Sequence, residues 1–322
     1  MSKVLITGGL GFLGSYSIEL WGRNGWQVTV IDNLSTNVIE PDDPVCKDAE
    51  VIIKDILECS WSSLGEFDMI VHLASPVGPA GILQHSGKIA DYIMSDIYWA
   101  IEGANLNKCP LIFVSTSEIY GHRDEAVFLK EDEDKILRGA FSVRNEYSIA
   151  KLLSEIVLSN SAKVSDLKYQ IIRPFNISGA RQLKNGGFVL PTFVQQALEG
   201  SDITVFNSGE QIRAFTHVSD IVEGIYLTSV AKDELYNQCW NIGNAKNVGT
   251  INELANIVKD KTSSSSKISH VDPKTIHGPL YEEAWDKVPD AEKVSRELGW
   301  SPKWTKEEII QDVIDYYRGP KK

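Results

Sequence analysis

The sequence predicts an α/β fold, a doubly wound parallel sheet followed by a smaller C-terminal α/β lobe, on three observations. Short, nearly unbroken Val/Ile/Leu runs recur through the first 175 residues, with helix-length stretches between them. The first run stops at a cluster of glycines. The regular alternation weakens after Arg173. Strands apolar on both faces need cover on both faces, and parallel neighbours need crossover helices, so this pattern selects a helix-covered parallel sheet.

Lys3 to Thr7 is the first strand, and residues 27–31 repeat its pattern and end at Asp32. Further runs lie at Glu50 to Ile53, Met69 to Leu73, Pro110 to Val114 and Tyr169 to Ile172. Ser86 to Asn107 reads as a long helix, with Ile89, Ala90, Ile93, Met94, Ile97 and Ile101 at helical spacing. Arg144 to Ser159 reads as another, one face carrying Ile149, Leu152, Leu153, Ile156 and Val157. Residues 176–216 mix loops, a helix near 189–199 and a short strand from Ile203 to Phe206. A strand is expected near 238–242, a mobile loop at the four-serine run Ser263 to Ser266, and a helix from Lys306 to Arg318. Residues 1–175 are expected to form a dinucleotide domain that also receives elements from about 205–245. Residues 176–322 would then form mainly the substrate lobe. No internal repeat is visible.

A chain of 322 residues with 43% hydrophobic content can bury a full core. Its net charge of −12 argues against nucleic acid, because phosphate neutralisation requires surplus Lys and Arg. Cys46, Cys59, Cys109 and Cys239 show no C-x-x-C spacing and read as free thiols, which suits a reducing cytoplasm. The chain enters a strand at once, so no secretory leader is expected. No apolar run reaches the ~18 residues of a membrane span. His122 and His217 lack companion ligands, so no metal is expected.

Gly8, Gly11 and Gly14 follow the first strand and open a helix together with Phe12 and Leu13. Glycines there permit a tight turn and close approach of backbone to a pyrophosphate, whose charge the helix N-terminus favours. Asp32 stands eighteen residues beyond Gly14 at a strand end, with Asn33 beside it. A carboxylate at that point accepts from ribose hydroxyls and repels a 2′-phosphate, which selects NAD over NADP. Asp55 and Ile56 follow the third strand and face an adenine edge, and Leu73, Ala74 and Ser75 line the trough with small groups.

Tyr147 and Lys151 are four residues apart on the predicted helix and project from one face. An ammonium beside a phenol favours phenolate, the form able to take a proton. Thr116, in Ser115-Thr116-Ser117-Glu118, is placed to share that proton.

With these motifs the sequence resembles the extended short-chain dehydrogenase/reductase superfamily, in its sugar-nucleotide epimerase/dehydratase branch. The resemblance spans nearly the whole chain and also rests on His72-Leu73-Ala74-Ser75, Ile119-Tyr120-Gly121 and Arg173-Pro174-Phe175-Asn176. It implies a Rossmann domain, tightly held NAD, a small substrate lobe and a homodimer through a four-helix bundle. In such enzymes tyrosinate takes the carbon-4 hydroxyl proton while hydride passes to NAD, and the 4-keto sugar is then epimerised, dehydrated or decarboxylated. Thr116, Tyr147 and Lys151 match the catalytic triad, and Ser117 and Glu118 match further acid/base groups of dehydratases and decarboxylases.

The resemblance also implies that Asn176, Arg181 and Arg213 contact the nucleotide diphosphate or sugar, and that Val189 lies in the segment packing on the base. Arg144 and the His-Leu-Ala-Ser-Pro run look like UDP-glucuronate decarboxylases. Three positions depart from the relatives. Asp96 and Trp99 stand where Asn and Gly are usual, and Lys287 stands where decarboxylases carry an arginine. Lysine lacks the forked donors that grip a carboxylate bidentately. That departure counts against decarboxylation, but Glu118 sets decarboxylation or 4,6-dehydration ahead of 4-epimerisation or simple carbon-4 oxidation. A non-catalytic NAD-binding regulator is the rival from another class.

Overall fold

Seven parallel strands form the central sheet of the computed structural model, which describes residues 1–123, 128–137, 141–183, 185–284 and 286–319. They are β1 (Lys3–Thr7), β2 (Gln27–Asp32), β3 (Ala49–Ile53), β4 (Met69–His72), β5 (Leu111–Val114), β6 (Tyr169–Pro174) and β7 (Gln238–Ile242). Their spatial order is β7-β6-β5-β4-β1-β2-β3, which reverses direction beside β1. That reversal opens a crevice at the carboxyl ends of the strands, where doubly wound sheets hold ligands.

Seven helices exceed ten residues: α1 (Phe12–Arg23), α2 (Ile89–Asn107), α3 (Val143–Lys163), α4 (Val189–Glu199), α5 (Val218–Ser229), α6 (Ile251–Thr262) and α7 (Lys306–Arg318). One apolar cluster, including Ile6, Trp21, Val30, Val222 and Trp240, packs α1 and α5 on one face of the sheet. A second, including Leu5, Ile70, Ile97, Phe113 and Leu158, packs α2 and α3 on the other. A third core joins α4, α6 and α7 away from the sheet through Phe193, Leu254 and Val313. The strand runs thus face apolar cover on both sides, which is why they read as unbroken.

The chain leaves the sheet after β6 and returns as β7, so the elements between them are inserted between adjacent strands. The long helix expected from Ser86 begins at Ile89, after a separate short helix at Gly78–Gln84, because Gly87 adopts a φ of 81° between them. The four-serine run is anchored rather than mobile. Ser264 Oγ donates to the Ala197 carbonyl at 2.7 Å and lies 2.8 Å from Ser266 Oγ, and Ser266 is buried. The apolar stripe of α3 divides: Leu152 and Val157 pack inward, while Ile149, Leu153 and Ile156 are 42–49% exposed beside exposed Tyr98 of α2.

Candidate active site

The glycine turn is built by steric necessity at two positions. Gly8 holds a φ of 69°, and a Cβ on it would stand 2.9 Å from the backbone of Ala74. A Cβ on Gly14 would stand 2.2 Å from the Gly8 carbonyl oxygen. The turn therefore brings α1 hard against β1 and β4. Helices α6 and α7 begin with capping boxes from Thr250 and Thr305. Helix α1 begins at Gly11 with no side-chain cap and no acidic residue in its first turn. Its first amides and dipole are thus open to an anion, and this fits a dinucleotide pyrophosphate.

Asp32 is buried at the end of β2, accepting from the Leu10 amide at 2.9 Å and the Leu34 amide at 2.8 Å. Burial raises its pKa and the two amides oppose this, so each oxygen is fixed with a lone pair left for a hydroxyl. Asn33 donates to Asp55 at 3.0 Å, linking the ends of β2 and β3, and Asp55 also caps the turn at Ile56 by accepting from the Leu57 amide. The Thr7 hydroxyl accepts from the Leu73 and Ala74 amides, each at 3.2 Å, fixing the segment that leads to Ser75. These residues line one continuous trough across the strand ends and fit NAD.

Helix α3 presents a buried polar stripe across the same crevice. Ser142 caps it, accepting from the Asn145 amide at 3.2 Å. Arg144, Tyr147, Lys151 and Glu155 then recur at helical spacing, and all four are buried. Tyr147 is 5% exposed and faces the Thr116 side chain. Burial drives its pKa upward, with Glu118 adding to the rise and Thr116 and Arg144 opposing it. Lys151 donates to the Val114 carbonyl at 3.1 Å. Burial lowers its pKa to about 8 against the pull of Asp96 and Glu155. Glu155 closes the stripe with a buried ion pair to Arg173 of β6 at 2.6 Å.

Glu118 lies between two cations. Arg144 Nη1 donates to it at 3.0 Å, and Lys287, 2% exposed, donates to its other oxygen. Burial alone would raise the Glu118 pKa, but Lys287 and Arg144 overcome it and hold the carboxyl at about 2. The two cations thus favour the ionised form of this carboxyl. Ser117 is buried beside it. Arg213 is also buried and joins this group through a bridge to Lys287. Its guanidinium donates to Glu283 and to the Ala284 carbonyl, each at 2.8 Å.

The other candidates lie apart from this cluster or at its edge. Asn176 adopts a φ of 36° after β6 and donates to the Ala214 carbonyl at 3.3 Å. Arg181 pairs with Glu19 of α1 at 2.7 Å and stacks over Tyr16, so it is not brought to Arg213. Val189 opens α4 and packs on the third core. Trp99 is accounted for by packing: it stacks on Trp61 at 4.1 Å and donates to the Cys59 carbonyl at 3.1 Å. Burial raises Asp96 to about 7, opposed by Lys151. Sequence reasoning missed Glu282, Glu283 and Asp286, which cover the arginines; no motif marks them. Among the described residues no group of three or more His, Cys, Asp and Glu is placed to hold a metal, and no helix is long and apolar enough to cross a membrane.

A glycine-lined trough meeting a tyrosine–lysine helix defines an NAD-dependent enzyme. The chain belongs to the NAD dependent epimerase/dehydratase family, whose model matches residues 4–243. A similar curated protein is the UDP-N-acetyl-alpha-D-glucosaminuronate decarboxylase of Bacillus cytotoxicus, 31% identical over 321 residues and covering 98% of both chains. UDP-glucuronic acid decarboxylase 1 of Xenopus tropicalis is 30% identical over 321 residues, covering 98% of this chain and 72% of that one. Among solved structures, a UDP-glucose 4-epimerase from Thermotoga maritima, crystallised with UDP-glucose, superposes with a TM-score of 0.85 at 27% identity, covering 98% of both chains.

Proposed function

We propose that this enzyme oxidises carbon 4 of a UDP-linked hexuronate and then removes the carbon-6 carboxyl as carbon dioxide. The observation that carries this reading is the Arg144–Glu118–Lys287 group beside Tyr147. Two buried cations against one carboxylate leave one net positive charge in this group. A uronate carboxyl answers that charge, whereas a neutral sugar does not. The relatives named as acting on UDP-uronates support the same substrate class.

When bound, NAD supplies a hydride acceptor and a positive charge that eases ionisation of the nearby phenol. Tyr147 takes the proton from the carbon-4 hydroxyl, and Thr116 keeps a hydrogen bond on that oxygen. Lys151, one turn further along the same helix face, is held on the Val114 carbonyl. The carbon-4 ketone is β to the carboxyl, so when the bond between carbons 5 and 6 breaks, its electrons settle on the carbon-4 oxygen as an enolate. Tyr147 and Thr116 are placed to hold that oxyanion, and carbon 5 then takes a proton. Glu118 aligns Arg144 and Lys287, and the substrate carboxylate departs as neutral carbon dioxide.

Mass spectrometry of products from UDP-glucuronate and UDP-N-acetylglucosaminuronate tests the reading. Loss of carbon dioxide together with two hydrogens is expected where NADH is released, and loss of carbon dioxide alone where the hydride is returned to carbon 4. Loss of water, or a product of unchanged mass, would replace decarboxylation by dehydration or 4-epimerisation. No turnover of any nucleotide sugar, with NAD bound, would leave the regulator reading standing.

The exposed Tyr98, Ile149, Leu153 and Ile156 support a homodimer in which α2 and α3 of two copies form a four-helix bundle. Light scattering of the wild type and Leu153→Asp, expected to be dimer and monomer, checks it. We also place residues 1–175, with β7 and its neighbours, as the cofactor-binding unit, residues 176–322 as mainly substrate-binding, and the enzyme in the cytoplasm.

A further inference from the structure

Arg213 is the cation through which this reading grips the diphosphate, yet its guanidinium is already engaged by the chain itself. Glu283 accepts from Nη2 at 2.8 Å, and Asp286 lies 3.5 Å from Nη1. The same segment takes Arg144, whose Nε and Nη2 donate to the Glu282 carbonyl at 3.2 and 2.9 Å. Both arginines are buried, with side chains 7–8% exposed, but the Glu283 and Asp286 side chains are 27% and 35% exposed. The cation side of each pair is therefore fixed in the protein, while the anion side borders solvent. Glu283 draws its remaining support from its own loop, from the Tyr281 hydroxyl at 3.1 Å and the Ala284 amide at 3.0 Å. That loop runs between the short helix Lys274–His277 and the short strand Val288–Pro289, and residues 281–284 have no regular structure. The segment is also held by the Ala284 carbonyl, which accepts from Arg213 at 2.8 Å, and by Asp286, which accepts from the Ile212 amide at 2.8 Å, so what has to move is the partly exposed Glu283 side chain rather than the backbone.

We propose that Glu283, assisted by Asp286, is an internal stand-in for the substrate's diphosphate: it occupies Arg213 in the free enzyme and yields the guanidinium to the nucleotide. This rests on the reading that Arg213 faces a nucleotide diphosphate. A diphosphate brings more anionic oxygens to the fork than one carboxylate does, so the exchange favours the ligand. The displaced carboxylate gains full hydration as it leaves. Every binding event must nonetheless break the internal pair, and apparent affinity falls by the fraction of molecules whose arginine is accessible. Glu283 thereby sets the nucleotide affinity of the site without touching the reacting carbons.

Titration calorimetry of the full chain with UDP as the probe tests this on the wild type, Glu283→Gln, Tyr281→Phe and Arg213→Ala. Removing the competing charge is expected to tighten UDP binding roughly threefold to tenfold, the net scale of one ordinary hydrogen bond, because Gln keeps part of the contact. Tyr281→Phe, which frees Glu283 from its loop support, should act in the same direction and less. In turnover KM should fall more than kcat changes, which a merely structural brace would not produce. Arg213→Ala should weaken UDP binding. If Glu283→Gln binds UDP equally or more weakly while Arg213→Ala still loses affinity, Glu283 is a permanent brace and the inference is overturned. If Arg213→Ala leaves UDP binding unchanged, the diphosphate reading itself fails, and the inference falls with it by a different pattern.

Discussion

The cofactor trough and the substrate cluster are built by opposite means. In the trough, specificity comes from what is missing: side chains absent at Gly8 and Gly14, and a cap absent at the start of α1. Backbone amides do the holding, and each contact lies close in sequence or on adjacent strands. In the substrate cluster, specificity comes from an excess of charge. Arg144, Lys287 and Arg213 are buried cations, and each is answered by a carboxylate or carbonyl from a distant segment. A site made of backbone tolerates little change but needs few residues, whereas a site made of ion pairs is retuned one charge at a time. This is the physical reason that a family can keep one cofactor and vary the sugar.

Each side of that contrast can be pressed separately. The largest effect belongs to the junction between them: Tyr147→Phe should cost roughly 10²–10⁴-fold in kcat with NAD binding retained, as expected for loss of a general acid/base. Full turnover by that variant would sink the assignment. Next, Glu118→Gln leaves two buried cations without their anion and should destabilise the fold by about 3–5 kcal/mol in chemical denaturation. A change under about 1 kcal/mol would mean that the cations relax to solvent and that the cluster is not preorganised. Gly14→Ala must move the Gly8 carbonyl, and overpacking of this kind costs about 1–3 kcal/mol. NAD titration should show weakened binding while the far substrate cluster still binds UDP. If both sites fail together, the two regions are not independent.

The smallest effect is in pH dependence. The Lys151 pKa is lowered by burial to about 8, so its charge is lost as pH rises through that value. Because kcat/KM reports the free enzyme, it should fall on the alkaline side with an apparent pKa near about 8 and keep its acidic limb. Glu118 behaves oppositely: its pKa is depressed to about 2, so the stability it contributes is present above the ordinary carboxylate value and lost only as pH falls toward about 2. A profile flat across pH 7–9 in kcat/KM would remove Lys151 charge from the mechanism.

The same contrast governs what the sequence discloses. The strand segments, the glycine turn, Asp32 and the Tyr147–Lys151 pair are legible because each depends on spacing within one element or on the end of one strand. Thr116 is legible because strand ends converge at the crevice of any such sheet. Arg144 is visible as a residue three before Tyr147, but its partner Glu282 lies 138 residues away, and Glu283 lies 70 residues from Arg213. No periodicity crosses such a separation. Arg181 shows the same limit: its motif position is visible, but nothing in the spacing announces that Glu19, 162 residues upstream, meets its guanidinium.

Helix α3 carries a further consequence. Arg144, Tyr147, Lys151 and Glu155 meet, in turn, Glu118, Thr116, the Val114 carbonyl and Arg173, so one helical face is keyed to four separate points of the body. Adding or deleting one residue within that stretch would rotate everything beyond it by roughly 100° and unkey the rest together. Side chains between the keys that make no core or subunit contact can change, but the interval itself is not free to change length. Lineages derived from this chain should therefore accumulate insertions almost anywhere on the surface before one survives between 144 and 155, and that interval serves as a ruler by which divergent sequences can be aligned.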